Sequence, residues 1–230
     1  MTTSQSTGNT RIGAPLRLVI GNKRYSSWSL RPWLLLRHFQ VPFEETRLAL
    51  DTPGFADAIG VLSPSRRVPA LHHGDLVLWD SLAICEYASE EFLGGRGWPS
   101  EIAARAQARA AACEMHAGFA ALRAQLPMHV ARVLEGHQRL PDAQADIDRV
   151  QALWRHLRAE HGGGGDFLCG DFGIVDAMFA PVAIRFRGYS VDCDKTSADY
   201  VDALYAVPAL KEWIAAGIAE SERLEKYEAM

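Results

Sequence analysis

The sequence predicts two unlike halves in one chain, an α/β half in the order β-α-β-α-β-β-α followed by an all-helical half. Three observations carry this. Short β-type runs alternate with helical runs over residues 15–93. A glycine-punctuated break, Gly94-Gly95-Arg96-Gly97-Trp98-Pro99, then interrupts the pattern. Beyond it the patterned segments have helical periodicity. The 230 residues allow one large domain or two modest ones, and 48% hydrophobic with 23% charged residues is ordinary for a globular chain.

Leu16 to Ile20 is a short β-type run ended by Gly21-Asn22. Leu30 to Phe39 reads as a hydrophobic helix, and Pro32 is tolerable if the helix starts near Ser27 to Ser29. Val41-Pro42 ends it, Glu45 to Leu50 forms a second strand, and Pro53 to Ser63 is loop with at most a short helix. Val68 to Leu71 and Leu76 to Trp79 flank His73-Gly74-Asp75 as an antiparallel hairpin, followed by a helix from Ser81 to about Phe92. A βαβ unit joined to a terminal hairpin and helix is the layout of a thioredoxin-like domain. In the second half, Glu101 to Leu126 holds eleven alanines and reads as one helical stretch. Pro141-Asp142 opens another helix, with Ile147, Val150, Leu153, Trp154 and Leu157 on one face. Gly162 to Gly165 is a connector without the lysine of a phosphate loop, and Asp176 to Phe186 and Pro208 to Ile218 are further helices. The expected domains are a disordered tail over 1–14, the thioredoxin-like unit over 15–93, a linker over 94–100 and the helical unit over 101–230.

A net charge of −4 with no basic stripe argues against nucleic-acid binding. The sequence contains no apolar run long enough for a bilayer, and the polar residues up to Ala14 do not resemble a signal peptide, so a cytoplasmic protein without a membrane partner is expected. Cys85, Cys113, Cys169 and Cys193 are widely spaced and read as reduced structural thiols. His72-His73 would point to opposite strand faces, so no metal site is expected.

Three segments have chemical potential. Tyr25-Ser26-Ser27-Trp28-Ser29-Leu30-Arg31-Pro32-Trp33 puts hydroxyls at a helix N-terminus, where they either cap the helix or help hold an anion such as a thiolate. Arg67-Val68-Pro69-Ala70 either enters a strand with an ordinary trans proline or holds a cis peptide that offers backbone to an extended ligand. Asp80-Ser81 either caps the next helix or grips the charged ends of a ligand. All three fall on one edge of the expected domain.

Taken together, Ser-Ser-x-Ser-x-Arg, Val-Pro-Ala-Leu and Asp-Ser-Leu-Ala-Ile-x-Glu-Tyr resemble the glutathione transferase superfamily, in particular a bacterial, serine-type, zeta-like branch. The run from Gly170 to Pro181 is similar to that family's buried helix-capping segment, so the resemblance spans about residues 16–220. It implies a glutathione transferase fold and a detoxifying enzyme that conjugates glutathione, its cosubstrate, to small apolar electrophiles. Ser26 matches the catalytic serine that stabilises the glutathione thiolate, with Ser27 beside it. Trp28, Val68, Pro69 (cis), Asp80 and Ser81 match the glutathione-binding positions, and Asp176 the structural cap. Met115 and Phe119, on the helix that also carries His116, and Arg185 are the candidates for the second-substrate pocket. A homodimer and no metal are also implied. The chain departs from the pattern at Gly173, where a Ser or Thr cap is usual. Trp28 and Gly188 stand where maleylacetoacetate isomerases carry a cysteine and a substrate-binding arginine. Isomerase or peroxidase activity, or a non-catalytic binding module, are the alternatives.

Overall fold

The computed structural model describes residues 13–228; the expected tail lies almost wholly outside the described residues. The first half runs β1 (Leu16–Ile20), α1 (Ser27–His38), β2 (Glu44–Arg47), α2 (Phe55–Leu62), β3 (Ala70–His73), β4 (Leu76–Trp79) and α3 (Ser81–Leu93). Its sheet has the order β2-β1-β3-β4, with β1 parallel to β2, and β1–β3 and β3–β4 antiparallel. The element order is the one expected of a thioredoxin-like unit, and the sheet is a mixed one. The strand period of two divides β1 between the sheet's faces. Leu16, Leu18 and Ile20 enter the main core, while Val19, opposite Ala70 in the register, joins a small cluster with Ile59 of α2.

The second half contains α4 (Ile102–Ala117), α5 (Ala120–Gln125), α6 (Pro141–His161), α7 (Ile174–Gly188), α8 (Lys195–Ala206), α9 (Pro208–Ala219) and the short α10 (Glu225–Glu228). Helix α1 packs against α3 and also against α7 and α9, so one apolar core crosses both halves. Trp33 of α1 meets Trp213 of α9 edge-on at 5.1 Å.

Several details differ from the sequence reading. The alanine-rich stretch is two helices, because Gly118 is extended and Phe119 is left-handed (φ 57). Strand β2 is shorter than expected, and β3 starts at Ala70 because Pro69 has no N–H for a ladder. The sequence reading missed α8. Its Asp194 cap accepts from Ser197 N, and Tyr200, Val201 and Leu204 are buried. All five apolar residues expected on one face of α6 are buried.

Gly173 has a steric reason. A Cβ there would stand 2.8 Å from the Gly97 carbonyl oxygen, which itself accepts from Ile174 N. The linker and the start of α7 touch backbone to backbone, which a serine would prevent. The Asp176 half of the cap survives: Oδ2 accepts from Gly173 N at 2.9 Å, and Oδ1 from Tyr200 OH and Leu168 N. Among the described residues no helix is long and apolar enough to cross a membrane, and no cluster of potential metal ligands occurs.

Candidate functional site

The loop between β1 and α1 turns tightly because Asn22 O accepts from both Tyr25 N and Ser26 N. Ser26 thereby becomes the N-cap residue of α1, yet its side chain caps no helical amide. Its Oγ instead donates to Ser29 Oγ at 2.8 Å, and Ser29 Oγ also accepts from Gly21 N. The positive end of the helix is left without a side-chain cap, which suits an anion. Ser27 Oγ accepts only a long contact, 3.5 Å, from Arg185 Nη2, so its own hydrogen is free to point elsewhere.

Ser26 and Ser27 line a cleft of about 470 Å³ with Trp28, Val68, Arg123 and Arg185. A second cleft of about 420 Å³ is lined by Trp28, Val68, Pro69, Asp80, Ser81 and His116. Trp28, Arg67 and Val68 border both, so the two form one continuous surface. Trp28 is partly exposed and forms the ridge between them. A larger groove of about 1110 Å³, between His38 and the linker, holds none of the expected site residues.

The structure brings together Ser26, Ser27, Trp28, Val68, Pro69, Asp80, Ser81 and Arg185. The Val68–Pro69 peptide is cis, as the family resemblance implied. Asp80 sits at φ 77, a costly conformation for a non-glycine residue. Its Oδ1 caps α3 by accepting from Leu82 N and Ala83 N, and its Oδ2 pairs with His116 Nε2 at 2.9 Å. Ser81 is buried at the same helix start, with Arg31 Nη1 3.5 Å from its hydroxyl.

One expectation needs correction, the placing of Met115 and Phe119 in the second-substrate pocket. Met115 is fully buried in the core and Phe119 is nearly so, and neither lines a cleft. Their spacing is that of a packed helix face. Asp176 lines neither cleft and is wholly buried in the first turn of α7, where burial raises its carboxyl to about 6. The sequence reading also missed several residues. Tyr227 reaches the first cleft from α10 and stacks on Tyr25 at 5.2 Å. Arg123 enters from α5, its guanidinium 5.4 Å from the Trp28 ring, and Arg31 lies 4.1 Å from the same ring. Arg31 was visible in the motif, but nothing in local spacing marks Arg123 or Tyr227. Gly188 is closely approached: a Cβ there would lie 3.1 Å from the Arg132 carbonyl oxygen.

Comparison with known proteins adds the following. Residues 25–91 match the family model for the N-terminal domain of glutathione S-transferase. No curated protein sequence matches the chain. Among solved structures, the fold is similar to a glutathione transferase homologue from Burkholderia GL BGR1 with bound glutathione (TM-score 0.69, 21% identity, covering 90% of this chain and 100% of that one). It is also similar to the Tau class enzyme of mango, Mangifera indica (TM-score 0.69, 21% identity, 94% and 97%). A theta class enzyme from Xanthomonas axonopodis pv. citri with glutathione bound gives a TM-score of 0.62 at 20% identity, covering 87% and 97%. The architecture is therefore that of the glutathione transferase fold.

Proposed function

We propose that this chain is a glutathione transferase in which Ser26 stabilises the thiolate of bound glutathione for direct attack on a small electrophile. The observation that carries the reading is the continuous double cleft, with an uncapped helix end and two serines at one end and Asp80-Ser81 at the other. An extended tripeptide can lie along Val68, its γ-glutamyl ammonium toward Asp80 and its carboxylate toward Ser81. Its sulfur then meets the N-terminus of α1. Two proteins of similar fold have glutathione bound, which supports this reading.

The serine pair supplies a relay. In this arrangement Ser26 gives its hydrogen to Ser29. Rotation about the Cβ–Oγ bond turns that hydrogen to the sulfur, and Ser29 can then donate to Ser26 Oγ in return. A free thiol near 8.5 falls by about one unit for each 1.4 kcal/mol by which the thiolate is preferred. A charge-assisted hydrogen bond of roughly 1.5–3 kcal/mol is enough to populate thiolate at neutral pH. Division into units at 94–100, a cytoplasmic setting and a two-fold dimer belong to the same reading. With glycine at 188, the chain lacks the arginine of the isomerase arrangement at that position.

Calorimetry with glutathione and turnover of 1-chloro-2,4-dinitrobenzene test this. Ser26→Ala should cut kcat/KM by roughly ten- to a hundredfold with the fold intact, the magnitude of one charge-assisted bond. An unchanged rate would transfer the role to Ser27. No heat with glutathione would remove the proposal.

A further inference from the structure

The first cleft is lined by four arginines, Arg66, Arg67, Arg123 and Arg185, and by no carboxylate. Beneath Trp28 lies a fifth, Arg31, wholly buried. Arg185 is also buried; its Nε and Nη1 are held by the carbonyls of Leu126 and Pro181, which aims Nη2 at Ser27. Among the described residues, Arg31 Nε has no hydrogen-bond partner. Arg123 gives one nitrogen to His116 O and leaves the rest of its fork free to face the cleft. Burial, then mutual repulsion among Arg31, Arg185 and Arg123, pulls Arg31 down to about 9 and Arg185 to about 10. Both stay charged at neutral pH.

Buried, mutually repelling cations are costly unless an anion completes the site. Glutathione brings two carboxylates and a thiolate, but one carboxylate belongs beside Ser81 in the other cleft. A thiolate and a glycyl carboxylate still leave guanidinium forks on the α5 and α7 side unanswered. The remaining lining, Tyr25, Leu50, Phe55, Met128 and Tyr227, is apolar or aromatic.

We infer that the second substrate is an aromatic electrophile carrying a carboxylate, its ring against the apolar wall and its charge on Arg123 and Arg185. This rests on the transferase reading above. It replaces the uncharged acceptor expected from sequence with an anionic one. Arg185 Nη2 and the Arg123 nitrogens not given to His116 O can each donate to one of a carboxylate's paired oxygens. For a chloroarene, the thiolate forms the C–S bond, the C–Cl bond breaks with its electron pair leaving as chloride, and the thiol proton passes to solvent.

The test pairs 4-chloro-3,5-dinitrobenzoate with its methyl ester, each rate normalised to its uncatalysed reaction with glutathione. The acid should be favoured in kcat/KM by about tenfold or more, and Arg123→Gln should erase most of that ratio. A ratio near one, or one that Arg123→Gln leaves unchanged, overturns the inference while the transferase stands. Titration of the two purified glutathione conjugates by calorimetry provides an independent readout on the wild-type protein. If neither compound is turned over yet the acid conjugate binds about tenfold tighter, the anion subsite holds and the transferase reading fails. If the acid conjugate binds no tighter than the ester conjugate, the inference falls on that ground alone.

Discussion

Asp176 shows how one buried side chain can be read from sequence for its place but not for its energetics. Its position three residues after Gly173 marks a helix cap, and the structure adds two further donors, Leu168 N and Tyr200 OH. Removing the carboxylate orphans three donors, so Asp176→Ala should lower the unfolding free energy by about 3 kcal/mol at pH 4.5. The folded carboxyl titrates near 6, above its ordinary 3.8, so its contribution is complete below about pH 4 and is lost as pH rises through 6. The gap between wild type and variant should therefore narrow from pH 4.5 to 7.5 in urea titrations. A gap that widened would mean that burial does not dominate this group. The serines behave differently. Ser26 and Ser27 were legible as a helix start, but the choice between capping and presenting an anion site depends on Ser29 and Gly21, which only the folded loop brings together.

The final element is tied down by polar contacts rather than by apolar burial. Helix α10 buries no residue. Glu220 accepts from the backbone of Lys23 and Arg24, Lys226 pairs with Asp51, and Glu228 accepts from Tyr25 OH at 2.5 Å and pairs with His129. These contacts hold Tyr227 against Tyr25 at the cleft mouth. Glu228→Ala should speed amide exchange at residues 224–228 while lowering the thermal midpoint by no more than about 2 °C, since half-exposed ion pairs contribute little globally. A large fall in midpoint with no change in local exchange would show that the strap is part of the core. Elements of this kind escape sequence reading, because a four-residue helix without an apolar face has no periodicity to detect. The break in the alanine-rich stretch escaped for another reason. Propensity there is high throughout, and Gly118 and Phe119 yield to packing.

At the scale of the molecule, α1 serves two masters: it packs on β1 and α3 in its own half and on α7 and α9 in the helical half, where Trp33 meets Trp213. A core shared in this way predicts one cooperative transition, with far-UV circular dichroism and tryptophan fluorescence coinciding on thermal unfolding. A fragment ending at Leu93 should lack a fixed near-UV signal, since the apolar face that α7 and α9 cover would be exposed to water. Two separated transitions would contradict this. The order of elements in the first half, the hairpin, the glycine break and the motifs along the cleft-lining edge were legible in the chain itself, because periodicity, turn chemistry and motif spacing are local properties. The charge of the first cleft was not. Arg31, Arg123 and Arg185 come from three separate helices, and Tyr227 from the end of the chain. No local pattern records that their side chains converge. That convergence follows from how α5 and α7 pack beside the start of α1, where long-range burial overrides what any short window of sequence can express.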